Sequence, residues 1–182
     1  MLTIKKYDNS MYNDMLLFSK KAVDDGLLNN SIERMNLDSV HYWVAYYKNK
    51  IIAVSGIQYR DGAWWIVRQA TLHKYHKLLG FKKLFGGSSI AAKYLQPESV
   101  KWCQSQNDDD IYLSVNIDNH AGPWMSRVNK HVNKFANLGL FKYLGCQKIK
   151  GVYQDVFIVD KKGFWEYVHK LQRLDDDIKE IK

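Results

Sequence analysis

Two turn signals inside one β-rich block constrain this chain more than any other feature. His41–Lys48 and Lys50–Arg60 are dense in Val, Ile, Tyr and Trp and are separated by a Lys48-Asn49-Lys50 turn; Asp61-Gly62 then joins the second run to Ala63–Leu72. β-Branched and aromatic side chains suit a half-buried pleated surface, and Asp-Gly suits the positive φ angles of a tight hairpin turn. Three consecutive antiparallel strands are therefore expected. A purely helical fold is excluded, and the rest of the chain has to supply the layers that cover this sheet.

The flanking segments read accordingly. Leu2–Lys6 alternates apolar and polar side chains as a short first strand does. Asp8, Asn9 and Ser10 offer caps for a helix from about Met11, with Tyr12, Met15, Leu16, Ala22 and Val23 at helical spacing and Gly26 as its stop. A second, shorter helix is expected from Ser31 to Leu37. After the third strand of the block, the loop His73–Gly87 carries Lys74, Lys77, Lys82 and Lys83, and Gly86-Gly87-Ser88-Ser89 leads into a helical pattern. Pro97 lacks an N–H and predicts a kink or two short helices across Ser89–Asn107. Asp108-Asp109-Asp110 is a turn before the strand Ile111–Asn116. The longest helix follows, with Trp124, Met125, Val128, Val132, Phe135 and Leu138 on one face, and Gly145 is expected to end it. Cys146–Lys150 and Val152–Val159 read as a last strand pair. A terminal helix from Gly163, with Phe164, Val168 and Leu171 on one side, runs into a charged tail.

Composition narrows the function classes. The 182 residues, 46% hydrophobic, suffice for one domain with a real core. Two cysteines, Cys103 and Cys146, form no disulfide framework and suit a reducing cytoplasm. No apolar run approaches the roughly 20 residues of a membrane span. The net charge of +8 points to polyanionic partners: nucleic acid, a phosphorylated cofactor or an acidic surface. Only five of the 27 basic residues are arginine, which weakens base-edge readout, since that leans on bidentate Arg.

The order strand, one or two helices, three antiparallel strands, basic glycine loop, helix, strand, helix, strand pair resembles the GNAT N-acetyltransferase superfamily, up to about Asp160. The resemblance implies an α/β (α+β) domain over residues 1–160, with a mixed, mostly antiparallel sheet splayed between its fourth and fifth strands. Acetyl-coenzyme A would lie in that opening, and residues 161–182 would add a helix and tail to the same domain. The family's pyrophosphate loop, Gln/Arg-x-x-Gly-x-Gly/Ala, is echoed by Lys83-Leu84-Phe85-Gly86-Gly87-Ser88, after an insertion of ten residues, His73–Lys82. Lys83, Gly86, Gly87 and Ser88 are thereby implied as cofactor-binding, together with the strand backbone at Ala70, Thr71 and Leu72. The asparagine expected after the fifth strand is Asn116 or Asn119. The Leu-Tyr-x-x-x-Gly-Phe signature is echoed by Leu140–Cys146, with Phe141 where the family places its acidic tyrosine and Tyr143 two residues on.

Amine acetylation needs a base for the amine proton and an acid for the leaving thiolate. The third strand of the block carries no Asp or Glu, so the base falls to His73 or to a water held near Gln69, and the acid to Tyr143. His73 and His76 are too closely spaced, without Cys or carboxylate neighbours, to suggest a metal. Adjacent Trp64 and Trp65 must face opposite sides of a strand. The implied function is acetyl-coenzyme A-dependent acetylation of an amine by a cytoplasmic monomer or homodimer. The missing strand carboxylate and Phe141 support an alternative, a non-catalytic basic module of the same fold that binds nucleic acid or a protein.

Overall fold

The computed structural model describes residues 2–28, 31, 39–75, 90–116, 139–149 and 151–180. The expected short helix over 31–37 (beyond Ser31), the glycine loop with Lys83, Gly86, Gly87 and Ser88, and the long helix from Trp124 to Leu138 lie outside the described residues. So does Asn119. The chain divides into two compact units, Met1–Asp109 and Asp110–Lys182.

In the first unit β1 (Leu2–Lys6), β2 (His41–Tyr47), β3 (Lys50–Arg60) and β4 (Ala63–Thr71) pair antiparallel in that order. Both hairpin turns take positive φ at both central residues, Lys48 (48°) and Asn49 (58°), then Asp61 (53°) and Gly62 (77°). That is the twist-matched two-residue turn that Asp-Gly favours. One sheet face is covered by α1 (Tyr12–Asp24), whose Met15, Phe18 and Ala22 pack on Tyr42, Val44, Val54, Ala70 and Leu72. Phe18 takes the core position along with Met15, whereas Tyr12, expected on the apolar stripe, is exposed. Burial of each large side chain here contributes about 1.5–3 kcal/mol. Gly26, at φ 69°, ends the helical region as its sequence position suggested.

The other face carries Trp43, Ile57, Trp64 and Ile66 and packs under a helical pair. A π-helical turn, Ala91–Leu95, runs directly into α2 (Gln96–Gln106), with Pro97 in the first turn of α2. Without an N–H, Pro97 cannot complete an ordinary helical bond, and the wide turn before it absorbs the defect. Trp102 of α2 meets Trp43 and Trp64 at ring centroid distances of 5.7 and 5.3 Å. The Trp64 indole donates to Asn107 Oδ1 (2.7 Å), and Tyr59 donates to Asp109 (2.7 Å), so the exit of α2 is tied to the β3–β4 hairpin.

In the second unit β5 (Ile111–Asn116), β6 (Phe141–Ile149) and β7 (Val152–Val159) pair antiparallel in the order β5-β7-β6, followed by α3 (Lys161–Glu180). Asp160 caps α3 by accepting from Gly163 N (2.9 Å), and Phe164 and Val168 bury its inner face. The expectation of helix up to Gly145 is corrected here: Phe141–Gly145 is strand. Gly139 (φ 66°) supplies the left-handed residue before β6, whereas Gly145 (φ 106°) sits at a break in the β6–β7 register between Tyr143 and Gly145. β6 is the outer strand, and Lys142, Tyr143 and Leu144 are all exposed, so it lacks the alternation that announces a strand.

Candidate functional site

The C-terminal half of β4 is where the regular ladder breaks. Val54 pairs with Ala70 and Gly56 with Val67, so Arg68 and Gln69 together oppose the single residue Ser55. This is a β-bulge, and Arg68 holds it with φ 51°, a left-handed conformation that non-glycine residues rarely adopt. A bulge leaves its extra residue unpaired and re-aims neighbouring groups. Ser55 Oγ and Gln69 Nε2 are both buried and without a hydrogen-bond partner among the described residues. Two unmet polar atoms at matching positions beside a broken ladder are the makings of a water site.

Beyond the bulge, Leu72 N donates to Ile52 O (3.0 Å). Ladder alternation then directs the backbone of Ala70 and Leu72 to β3 and turns the N–H and C=O of Thr71 away from it. Ala70, Thr71 and Leu72 have buried side chains, so what this stretch can offer a ligand is backbone. Thr71 does more: its Oγ1 accepts from Ala91 N (3.1 Å) at the first residue of the π-helical turn. The end of β4 and the π-helical turn are thereby held together. His73 opens the short 3₁₀ turn His73–Tyr75 directly after β4, exposed to solvent, with Tyr75 N donating to Leu72 O (2.9 Å). Gln69, Ala70, Thr71, Leu72 and His73 are thus contiguous at one strand end.

Arg68 was not singled out by sequence reasoning. Its Nη1 donates to the Tyr42 hydroxyl (3.0 Å) beneath the α1 face. Burial raises the pKa of that phenol and Arg68 opposes the rise. The hint in the sequence is a cation that directly follows five apolar residues, Ala63–Val67.

Tyr143 stands on β6 in the second unit, not at a helix end. Its hydroxyl donates to Asp155 Oδ1 (2.7 Å), and this bond, with desolvation, pushes the phenol up to about 12. Asp155 is buried on β7, and its Oδ2 has no partner among the described residues. Asn116 ends β5, which β7 separates from β6, a lateral offset of about 10 Å. Phe141 is buried at the start of β6. Cys103 is buried on the inner side of α2, and burial pushes its thiol up to about 12, which makes it inert core; Cys146 is exposed. Among the described residues there is no cluster of metal-ligating side chains, and no helix long and apolar enough to cross a membrane.

An N-acetyltransferase from Staphylococcus aureus Mu50 matches with a TM-score of 0.59 at 14% identity, covering 88% of this chain and 97% of that one. The chain has the fold of the GNAT acetyltransferases. A GNAT-family acetyltransferase from the same strain matches with a TM-score of 0.56 at 18% identity, over 87% of this chain and 98% of that one. A putative streptothricin acetyltransferase from Bacillus anthracis, solved in complex with acetyl coenzyme A, matches with a TM-score of 0.54 at 11% identity, over 87% and 98%. No protein-family model matches the chain, and no curated protein matches it in sequence.

Proposed function

We propose that this chain is an acetyl-coenzyme A-dependent N-acetyltransferase whose reacting atoms meet at the β4 bulge. The observation that carries the reading is the tie from Thr71 Oγ1 to Ala91 N–H, which sets the π-helical turn against a strand end whose Thr71 backbone is turned outward. The pantetheine arm pairs with the Thr71 backbone in the manner of an added strand, and the helix start with the Lys83–Ser88 loop takes the pyrophosphate. Asn116 and Asn119 carry over from the family pattern as further cofactor contacts.

The unpaired backbone at Arg68–Gln69 polarises the thioester carbonyl. The amine nitrogen forms the new C–N bond, the C–S bond breaks, and the amine proton passes to His73 or to a water held by Gln69 and Ser55. Tyr143 is the proposed proton donor to the thiolate. A phenol held near 12 is protonated at neutral pH, as an acid must be, but its proton is engaged by Asp155, so transfer requires that bond to open.

Release of free thiol from acetyl-coenzyme A, followed over a panel of amines, tests the reading. Gln69→Leu and His73→Ala are expected to lower kcat about 10²-fold or more where the residue serves the base, with cofactor affinity unchanged. Thiol release no faster than without protein, for every amine, would contradict it.

A further inference from the structure

The bulge carries a positive charge that no acidic side chain among the described residues neutralises. Arg68 is half-buried, and its one hydrogen bond among the described residues is to a neutral phenol, Tyr42, itself only 1% exposed. Among the described residues the ion pairs are Lys21–Asp25, Lys142–Asp160 and Lys162–Glu166, and none includes Arg68. A guanidinium presents five N–H donors in a planar fork matched to an oxyanion, and the Tyr42 hydroxyl occupies one of them. The residue also holds a left-handed backbone that glycine would adopt without strain. A partly desolvated cation without an ion-pair partner among the described residues, on a strained backbone, opposes stability twice, which is the signature of a group kept for what it binds. Strand alternation puts Trp65, with the Arg60 guanidinium 4.3 Å from its ring, on the α1 face with Val67, and the bulge lets Arg68 reach Tyr42 on that same face.

We propose that Arg68 recognises the acceptor: the amine acetylated at the bulge carries a carboxylate, which Arg68 takes through its free N–H groups while Tyr42 fixes the guanidinium. The acceptor class is a small amino acid-like amine rather than a plain polyamine, whose cations this face would repel. The assignment rests on the reading of β4 as the acyl-transfer site. It makes Arg68 the source of acceptor selectivity and leaves cofactor binding to the far end of the strand.

The test is a panel of L-amino acids, each paired with its amide, assayed by thiol release at saturating acetyl-coenzyme A. Wild type is compared with Arg68→Gly and Arg68→Lys. Glycine keeps the φ of 51° without strain, so the bulge survives the loss of the side chain. Acids should exceed amides by roughly 10- to 100-fold in kcat/KM, the worth of a charged hydrogen-bonded pair. Arg68→Gly should abolish that preference through KM, and Arg68→Lys should restore part of it, with the acetyl-coenzyme A Kd held within about twofold. Equal use of acids and amides would overturn the proposal. So would an Arg68→Gly variant that loses acetyl-coenzyme A instead, or a wild type that binds the cofactor but neither binds nor turns over any carboxylate member. Failure of the wild type to bind acetyl-coenzyme A removes the transferase reading itself, and this assignment with it.

Discussion

Gly56→Ala probes the packing that supports the bulge. A Cβ at Gly56 would lie 2.6 Å from Tyr42 Cε1, 2.9 Å from Tyr42 Cδ1 and 2.9 Å from Val40 Cγ1. Carbon atoms in contact prefer about 3.5–4.0 Å, so the Tyr42 ring has to move by roughly 1 Å. It has little room to do so. The ring is 1% exposed, its hydroxyl is held by Arg68, and it meets Tyr7 edge-on at 6.3 Å. Overpacking of this kind costs about 1–3 kcal/mol, and the pinned hydroxyl argues for the upper end. At about 2–4 °C per kcal/mol for a chain of this size, the melting temperature should fall by roughly 5–10 °C. Urea unfolding should show a lower midpoint at unchanged m. In a Tyr42→Leu background, where the obstructing ring is gone, the same substitution should cost at least about 1 kcal/mol less. An unchanged midpoint, or an equal cost in both backgrounds, would refute the packing argument. Because the same ring anchors Arg68, the surviving fold should also show a raised acceptor KM.

Thr71→Val removes the acceptor of the Ala91 N–H and leaves a buried donor unpaired; urea midpoints should show a loss of about 1–3 kcal/mol, and calorimetry a weakened grip on acetyl-coenzyme A. The Tyr143 phenol, raised to about 12 against about 10 when unfolded, contributes stability that is complete below pH 10 and lost as pH climbs to 12. Urea midpoints of wild type should therefore fall more steeply than those of Tyr143→Phe across that window, and parallel curves would count against the Asp155 bond. Ellman's reagent should titrate Cys146 at once in the native protein and reach buried Cys103 only after denaturant is added.

Much of the first unit was legible because its signals are local. Asp61-Gly62 needs two positive φ angles and has the residues for them, and Pro97 suits the first turn of a helix, where it stands in α2. Trp64 and Trp65 divide between the two faces because strand geometry allows nothing else. The bulge was not legible, since an arginine rather than Gly or Asn holds the left-handed position and nothing in the letters marks it. β6 escaped for a different reason. Its outer position leaves consecutive side chains exposed, so Leu140–Gly145 carries no period, and Gly145 reads as a helix stop although Gly139 takes the left-handed turn before the strand. Tyr12 and Phe18 both fit a helical stripe drawn on paper, and only the position of the sheet decides between them. The candidate site shares this split: Gln69 to His73 are contiguous in the sequence and can be proposed from it, whereas Arg68, Ser55 and Tyr42 acquire meaning only through the register with β3.

The measurement that bears most directly on the central claim is thermal unfolding with and without acetyl-coenzyme A at fixed salt. At about 100 times its Kd the ligand should stabilise the fold by roughly 2.7 kcal/mol, a rise of about 5–10 °C. The account predicts that rise, and predicts that it shrinks in Thr71→Val. No shift at millimolar acetyl-coenzyme A would contradict the assignment of β4 and the following helix start as an acyl-transfer site.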